Sequence, residues 1–104
     1  MSRKFDGILS IEGQDLTISF KSSPNNKLCI FKGKLESKSK KDFKDIKATV
    51  FETKPNAASG HTTFGGTVAP AGIVISLNDG TVSVNAEVVS GVPEYDISGE
   101  GDWN

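Results

Sequence analysis

Alternating apolar and polar residues near the start of the chain predict a β-hairpin. Two apolar runs share one phase: Leu9 and Ile11, then Leu16, Ile18 and Phe20. A period of two is that of a strand with one buried face. The intervening Glu-Gly-Gln-Asp segment places Gly13 at the first central position of a two-residue hairpin turn. In this register Ile11 faces Leu16 and Leu9 faces Ile18, so the apolar side chains share one face.

A second hairpin is predicted in the C-terminal third. Apolar residues again occupy every second position on either side of a turn: Ile73, Ile75 and Leu77, then Val82, Val84, Ala86 and Val88. The Asp79-Gly80 pair between them is a strong hairpin signal. It sets Leu77 opposite Val82. A further turn at Ser90-Gly91 leads to the last strand, with Ala86 opposite Tyr95, so we expect a C-terminal three-strand meander.

The middle of the chain is less regular. Residues 27–36 predict a strand, with a bulge or burial on both sides because apolar residues occupy both phases. Residues 42–53 favour a strand, although the spacing of apolar residues within Asp42–Ala48 also fits a short helix. Residues 61–69 predict one more strand.

Seven or eight strands joined by short turns predict a single all-β domain over residues 1–104, either a small antiparallel barrel or a β-sandwich. A large residue followed two positions later by glycine recurs along the chain: Phe5/Gly7, Phe31/Gly33, Phe64/Gly66 and Ile97/Gly99. Glycine on an inner strand face permits the sharp coiling that closes a barrel, and a neighbouring aromatic ring covers the exposed backbone. This motif favours the barrel.

Composition limits the cellular compartments in which we expect this protein. The 104 residues include one cysteine, Cys29, so no intrachain disulfide forms. No apolar stretch approaches the roughly 18 residues that span a bilayer. The first residues carry no apolar core of a signal peptide. We expect a soluble protein that is cytoplasmic, or exported without a cleaved signal peptide.

Charge is divided along the chain. All twelve Lys and Arg residues precede Pro55. Asp and Glu residues follow it, but no Lys or Arg does. We expect strands from the two halves to neutralise each other, with the first and last strands close together. The last strand has an acidic and hydroxylic row: Glu94, Asp96, Ser98, Glu100 and Asp102. We expect this row to face solvent, while Tyr95, Ile97 and Trp103 point into the core.

The sequence offers little for catalysis. His61 is the only histidine, and Cys29 shares the apolar phase of its strand, where an inert thiol is the default. Two candidate ligands do not make a zinc site. The glycine-rich segments are followed by no Lys or Arg, which argues against a nucleotide cradle. A weak cation site of Glu100, Asp102 and Asp79 is the one metal alternative. We expect no enzyme, no cofactor and no metal.

A non-enzymatic binding protein is therefore the leading hypothesis. It would recognise a protein or a glycan through loops at one end of the barrel, namely residues 22–26, 37–42 and 55–66. The expected contact residues are Ser59, His61, Thr62, Phe64, Trp103, Lys38, Lys40 and Lys41. A glycan would need an exposed aromatic platform, for which Trp103, Tyr95 and Phe64 are the candidates.

Two alternative ligands remain. An apolar small molecule would fit inside the barrel if the inner glycines leave room: Gly7, Gly33, Gly99 and Gly101. Single-stranded nucleic acid would bind the Lys32–Lys47 cluster beside an aromatic platform. The acidic second half of the chain opposes a phosphate backbone.

Overall fold

Eight antiparallel strands close into a barrel in the computed structural model, which describes residues 3–22, 27–40, 42–54, 57–87 and 93–104. The strands are β1 Arg3–Glu12, β2 Asp15–Ser22, β3 Lys27–Leu35, β4 Phe43–Glu52, β5 His61–Ala69, β6 Gly72–Leu77, β7 Val82–Ala86 and β8 Tyr95–Trp103. The predicted all-β barrel is thus confirmed, and the two-sheet sandwich is not formed. None of the helical structure in these residues is long or apolar enough to cross a membrane.

The order of strands around the barrel is β1-β2-β3-β8-β5-β6-β7-β4. Strands β1 to β3 form one meander and β5 to β7 form another. Strand β4 lies between β7 and β1, and β8 lies between β3 and β5. Advancing every strand number by four reproduces the same ring, so each half of the chain lends its fourth strand to the junction with the other half.

The hairpin registers are as predicted, but the C-terminal meander is wrong in its third strand. Leu9 pairs with Ile18 and Leu77 with Val82. Strand β8, however, pairs with β3 and β5, while the second edge of β7 is taken by β4. The prediction assumed that consecutive strands are neighbours, which holds for about two-thirds of cases. The meander that forms instead is β5-β6-β7.

The irregularity predicted in β3 lies elsewhere. Strand β3 pairs with β2 in one unbroken register, and Leu28 is simply exposed. The register shifts instead between β1 and β4, where Asp45 has a φ of 49° and its backbone N–H donates to the Ser10 hydroxyl at 2.9 Å. This bulge changes the phase of β4, so Phe43 and Ala48 are both buried. The apolar spacing that resembled a helix therefore belongs to a bulged strand.

Aromatic side chains fill the barrel next to the inner glycines. The Phe31 ring lies 5.7 Å from that of Phe64 and 5.2 Å from that of Trp103, measured between centroids. A Cβ added to Gly33 would lie 2.7 Å from the Phe31 ring and 3.0 Å from the Phe64 ring. A Cβ on Gly7 would lie 3.1 Å from that of Phe20. The aromatic covering is as predicted, but the room expected for an apolar ligand beside these glycines is occupied.

A polar network closes the end of the barrel where β8 finishes. The Trp103 indole N–H donates to the Asn78 side-chain oxygen at 2.8 Å, and the Asn78 amide group donates to the Ser59 carbonyl at 3.1 Å. The Asn78 backbone N–H donates to the Thr62 hydroxyl at 3.0 Å. Asn78 belongs to a 3₁₀ turn, residues 78–80, and has a φ of 51°. Glu52, 3% exposed, accepts the Ala58 N–H nearby.

Gly99→Ala should destabilise the barrel by about 1–3 kcal/mol, because its Cβ would lie 2.8 Å from the Lys34 carbonyl carbon and 2.9 Å from the Phe64 ring. Gly65→Ala is the matched control, since its Cβ would meet nothing closer than 3.9 Å. Denaturant unfolding curves measure both. Equal unfolding free energies for the two variants would contradict a requirement for glycine where β8 packs against β3 and the Phe64 ring.

Asn78→Ala should lower the free energy of unfolding by about 1–3 kcal/mol, since it leaves the Trp103 indole without its acceptor. Asn78→Asp retains an acceptor oxygen and tolerates the positive φ, so it should cost less. Unfolding followed by tryptophan fluorescence compares the two variants. A smaller loss of unfolding free energy for Asn78→Ala than for Asn78→Asp would contradict a stabilising role of the hydrogen bond between Asn78 and Trp103.

Candidate functional site

The loops expected to form one binding surface lie at opposite ends of the barrel. The Ser39 hydroxyl lies 2.8 Å from the Tyr95 hydroxyl, where β8 begins. The Gly60 carbonyl accepts the N–H of Trp103, where β8 ends. Along β8 those two positions are about 26 Å apart. The prediction that these loops form one binding surface at one end of the barrel is therefore wrong. Residues 23–26, 55 and 56 of the expected loops, and the expected contact Lys41, lie outside the described residues.

The expected contact residues do not come together as one site. Phe64 and Trp103 are 5% and 6% exposed and belong to the core, so neither offers a glycan platform on this surface. Ser59 and Thr62 take part in the network around Asn78. His61 to Phe64 belong to strand β5 rather than to a loop.

Lys38 and Lys40 lie in the connection between β3 and β4, at the barrel end where β8 begins. The Lys40 ammonium lies 5.6 Å from the centre of the Tyr95 ring, over its face. The Ser39 N–H donates to the Gly13 carbonyl, which ties this connection to the turn between β1 and β2. Tyr95, the remaining candidate for a glycan platform, is half-buried and occupied by these contacts.

The lysine cluster of residues 32–47 is divided between two separated strands. Lys32 and Lys34 lie on β3, whereas Lys44 and Lys47 lie on β4. Strands β1 and β2 stand between β3 and β4 in the ring. Lys34 also forms an ion pair with Asp15. The four strand lysines of the cluster therefore do not form one continuous basic surface on adjacent strands.

Polar side chains instead converge on the outer wall of the barrel, across β2, β3, β8 and β5. Register partners on these four adjacent strands form two outward rows: Thr17, Lys32, Asp102 and His61, then Asp15, Lys34, Glu100 and Thr63. All of these residues except Thr63 line a shallow depression of about 630 Å3. Ser10 and Glu12 of β1 lie at its rim. We call this depression the outer groove.

His61 is held between two carboxylates of the outer groove. Its Nδ1 lies 2.9 Å from Asp102 Oδ1, and its Nε2 lies 3.4 Å from Glu100 Oε2. The hydrogen bond to Asp102, and after it the one to Glu100, raises the pKa of His61 above the ordinary value of 6.5. The side chains stay largely exposed, at 57% for His61, 67% for Glu100 and 72% for Asp102.

The acidic row of β8 faces solvent, as expected, but its neighbours differ from the prediction. Lys32 and Lys34 of β3 are the register partners of Asp102 and Glu100, so the basic neighbours come from β3 and not from the first strand. His61, rather than Asp79, is opposite Asp102. Among the described residues, no group of three or more acidic, His or Cys residues is arranged to hold a metal ion.

The exchange His61→Gln should remove a contribution to stability that depends on pH. A group whose pKa is raised in the folded state stabilises the fold fully below its unfolded pKa, and this stabilisation is lost as the pH rises through the folded pKa. The native protein should therefore exceed His61→Gln in unfolding midpoint at about pH 5, and the difference should shrink toward about pH 9.

Thermal unfolding across this pH range provides the measurement. Asn85→Gln, an exposed amide on β7, is the control and should show no such trend. A His61→Gln difference that stays constant with pH would contradict the two contacts.

No family model, no curated protein and no solved structure matches this chain.

Proposed function

We propose that this barrel is a non-catalytic binding protein that recognises a protein partner through the outer groove. One observation carries the proposal. The groove takes its polar side chains from four adjacent hydrogen-bonded strands of a closed barrel, so their spacing is set before any partner arrives. Binding then requires no ordering of the backbone beneath these side chains, which lowers the entropic cost of association.

The chemistry of the groove supports binding rather than catalysis. Cys29 is 6% exposed, with its side chain among the core residues. The groove is also shallow and open to water, whereas strong electrostatic stabilisation of a reaction needs a site that excludes water.

A protein partner fits the groove better than a glycan does. Both signs of charge are present, and same-face side chains along each strand repeat at about 6.6–6.8 Å. An extended peptide segment presents its alternate side chains at the same repeat, so successive charged residues can meet successive groups of the groove. Of the aromatic rings that a glycan would stack on, Phe64 and Trp103 are inside the barrel, and Tyr95 is already in contact with Ser39 and Lys40.

The balance of charges indicates which residues the partner presents. Four carboxylates line the groove or its rim: Glu12, Asp15, Glu100 and Asp102. Two lysines face them, and Lys34 is already paired with Asp15. The groove is therefore net negative, which favours a segment rich in Lys or Arg and speeds its approach.

Charge reversal at Lys32 tests the groove, and the same exchange on another wall is the control. Lys32→Glu replaces a cation of the groove, whereas Lys47→Glu makes the identical change on β4. A partner is captured by crosslinking from the cells that contain this protein and is then purified. Its affinity should rise about tenfold or more for Lys32→Glu and change little for Lys47→Glu.

The native protein, Lys32→Glu and Lys47→Glu are also applied to a glycan array. Equal partner affinity for both variants, with the fold intact, would contradict binding at the groove. Glycan binding that responds to Lys32→Glu but not to Lys47→Glu would replace the protein partner with a glycan.

A further inference from the structure

We propose that His61 is a protonation switch for the outer groove. Protonated, it holds Asp102 and Glu100 together. Neutral, it keeps Asp102 and releases Glu100 to a ligand. The switch itself depends only on the groups of the groove, and its effect on a partner rests on the proposed function.

The geometry requires an imidazolium for both contacts to exist. An ionised carboxylate only accepts hydrogen bonds, and a neutral imidazole has a single N–H. His61 places Nδ1 against Asp102 at 2.9 Å and Nε2 against Glu100 at 3.4 Å. The two hydrogen bonds can therefore form together only when both ring nitrogens carry a proton. One further proton thus decides whether one carboxylate is held or two.

The contact that deprotonation breaks is the one to Glu100. The shorter contact keeps the remaining N–H, so Nδ1 continues to donate to Asp102. The lone pair of Nε2 then points at the Glu100 carboxylate, which is repulsive. Because the Glu100 side chain is 67% exposed and forms no other ion pair within the described part of the chain, it is able to turn toward water and the groove.

Every strand around His61 contributes charged or polar groups to this balance. Strand β8 supplies Glu100 and Asp102, and β5 adds Thr63. The remaining strands that face the groove supply the following side chains: Lys32 and Lys34 from β3, Asp15 and Thr17 from β2, and Ser10 and Glu12 from β1. Imidazole is the side-chain type that ordinarily titrates near neutral pH, and the chain has one histidine.

Loss of the proton therefore makes the groove one unit more negative and frees an acceptor at the same time. Both effects favour a basic group on the partner. Protons and partner then compete, so affinity rises with pH through the pKa of His61. By reciprocity, a bound partner lowers that pKa.

Carbon-detected NMR titration of the intact protein tests the switch without any partner. Between about pH 5 and pH 9, the carboxyl signal of Glu100 should show an inflection at the pKa of the His61 ring. His61→Gln should abolish that inflection. Glu100→Gln should lower the pKa of His61 more than Glu12→Gln, which removes a rim carboxylate without touching the ring. Equal His61 pKa values in these two variants, or a Glu100 signal with no inflection there, would overturn the switch and leave the proposed function standing.

A second measurement tests the effect on binding with a defined probe. The peptide acetyl-Lys-Gly-Lys-amide presents two ammonium groups on one face when extended, and acetyl-Glu-Gly-Glu-amide is its charge control. The lysine peptide should shift the amide signals of Gly33 and Gly101, with an affinity about fivefold higher above the His61 pKa than below it. That difference should vanish in His61→Gln.

The outcomes separate the two proposals. Lysine-peptide binding at the groove that does not change with pH would overturn the effect of the protonation switch on binding and support the groove as a binding surface. If the groove signals respond equally to both peptides or to neither, control of a basic partner by the switch is overturned. The comparison of Lys32→Glu with Lys47→Glu then decides the proposed function independently.

Discussion

The close approach of β3 and β8 is the contact on which the rest of this structure depends. Gly33 and Gly101 face each other across these strands, with no side chain between the two backbones. The rings of Phe31 and Phe64 cover them from inside, and Trp103 packs against Phe31. Backbones that lack Cβ atoms can coil tightly enough to close a small barrel. The seam therefore joins the two halves of the chain and fills the interior in one arrangement.

Strand exchange between the halves explains the division of charge along the sequence. Strand β8 from the acidic half lies beside β3 from the basic half, and β4 from the basic half lies beside β7. Had each half closed its own four strands, the acidic row of β8 would lie next to the neutral outer face of β7. In the exchanged barrel, Lys32 and Lys34 are its register partners instead. Pairing across the seam therefore places opposite charges directly opposite one another, which stabilises a sheet.

Alternation along the sequence was enough to predict the local structure but not the neighbours of each strand. The period of two identified the buried face of β1, β2, β6 and β7, and the turns set both hairpin registers. The bulge at Asp45 was missed because a bulge changes the phase without leaving a glycine or proline as a signal. The place of β8 was missed because strand order depends on contacts between distant residues, which a local period does not encode.

The outer groove could not be predicted from the sequence for the same reason, yet its arrangement follows directly from that of the core. His61 and Asp102 are forty-one positions apart and meet only because β5 and β8 pair. Once Gly33 and Gly101 face inward, the residues on either side of them must face outward. Lys32 must then stand beside Asp102, and Lys34 beside Glu100. The glycine pair that permits closure inside thus also fixes which charges meet on the surface. A change of register at the seam would dismantle the barrel interior and the outer groove together.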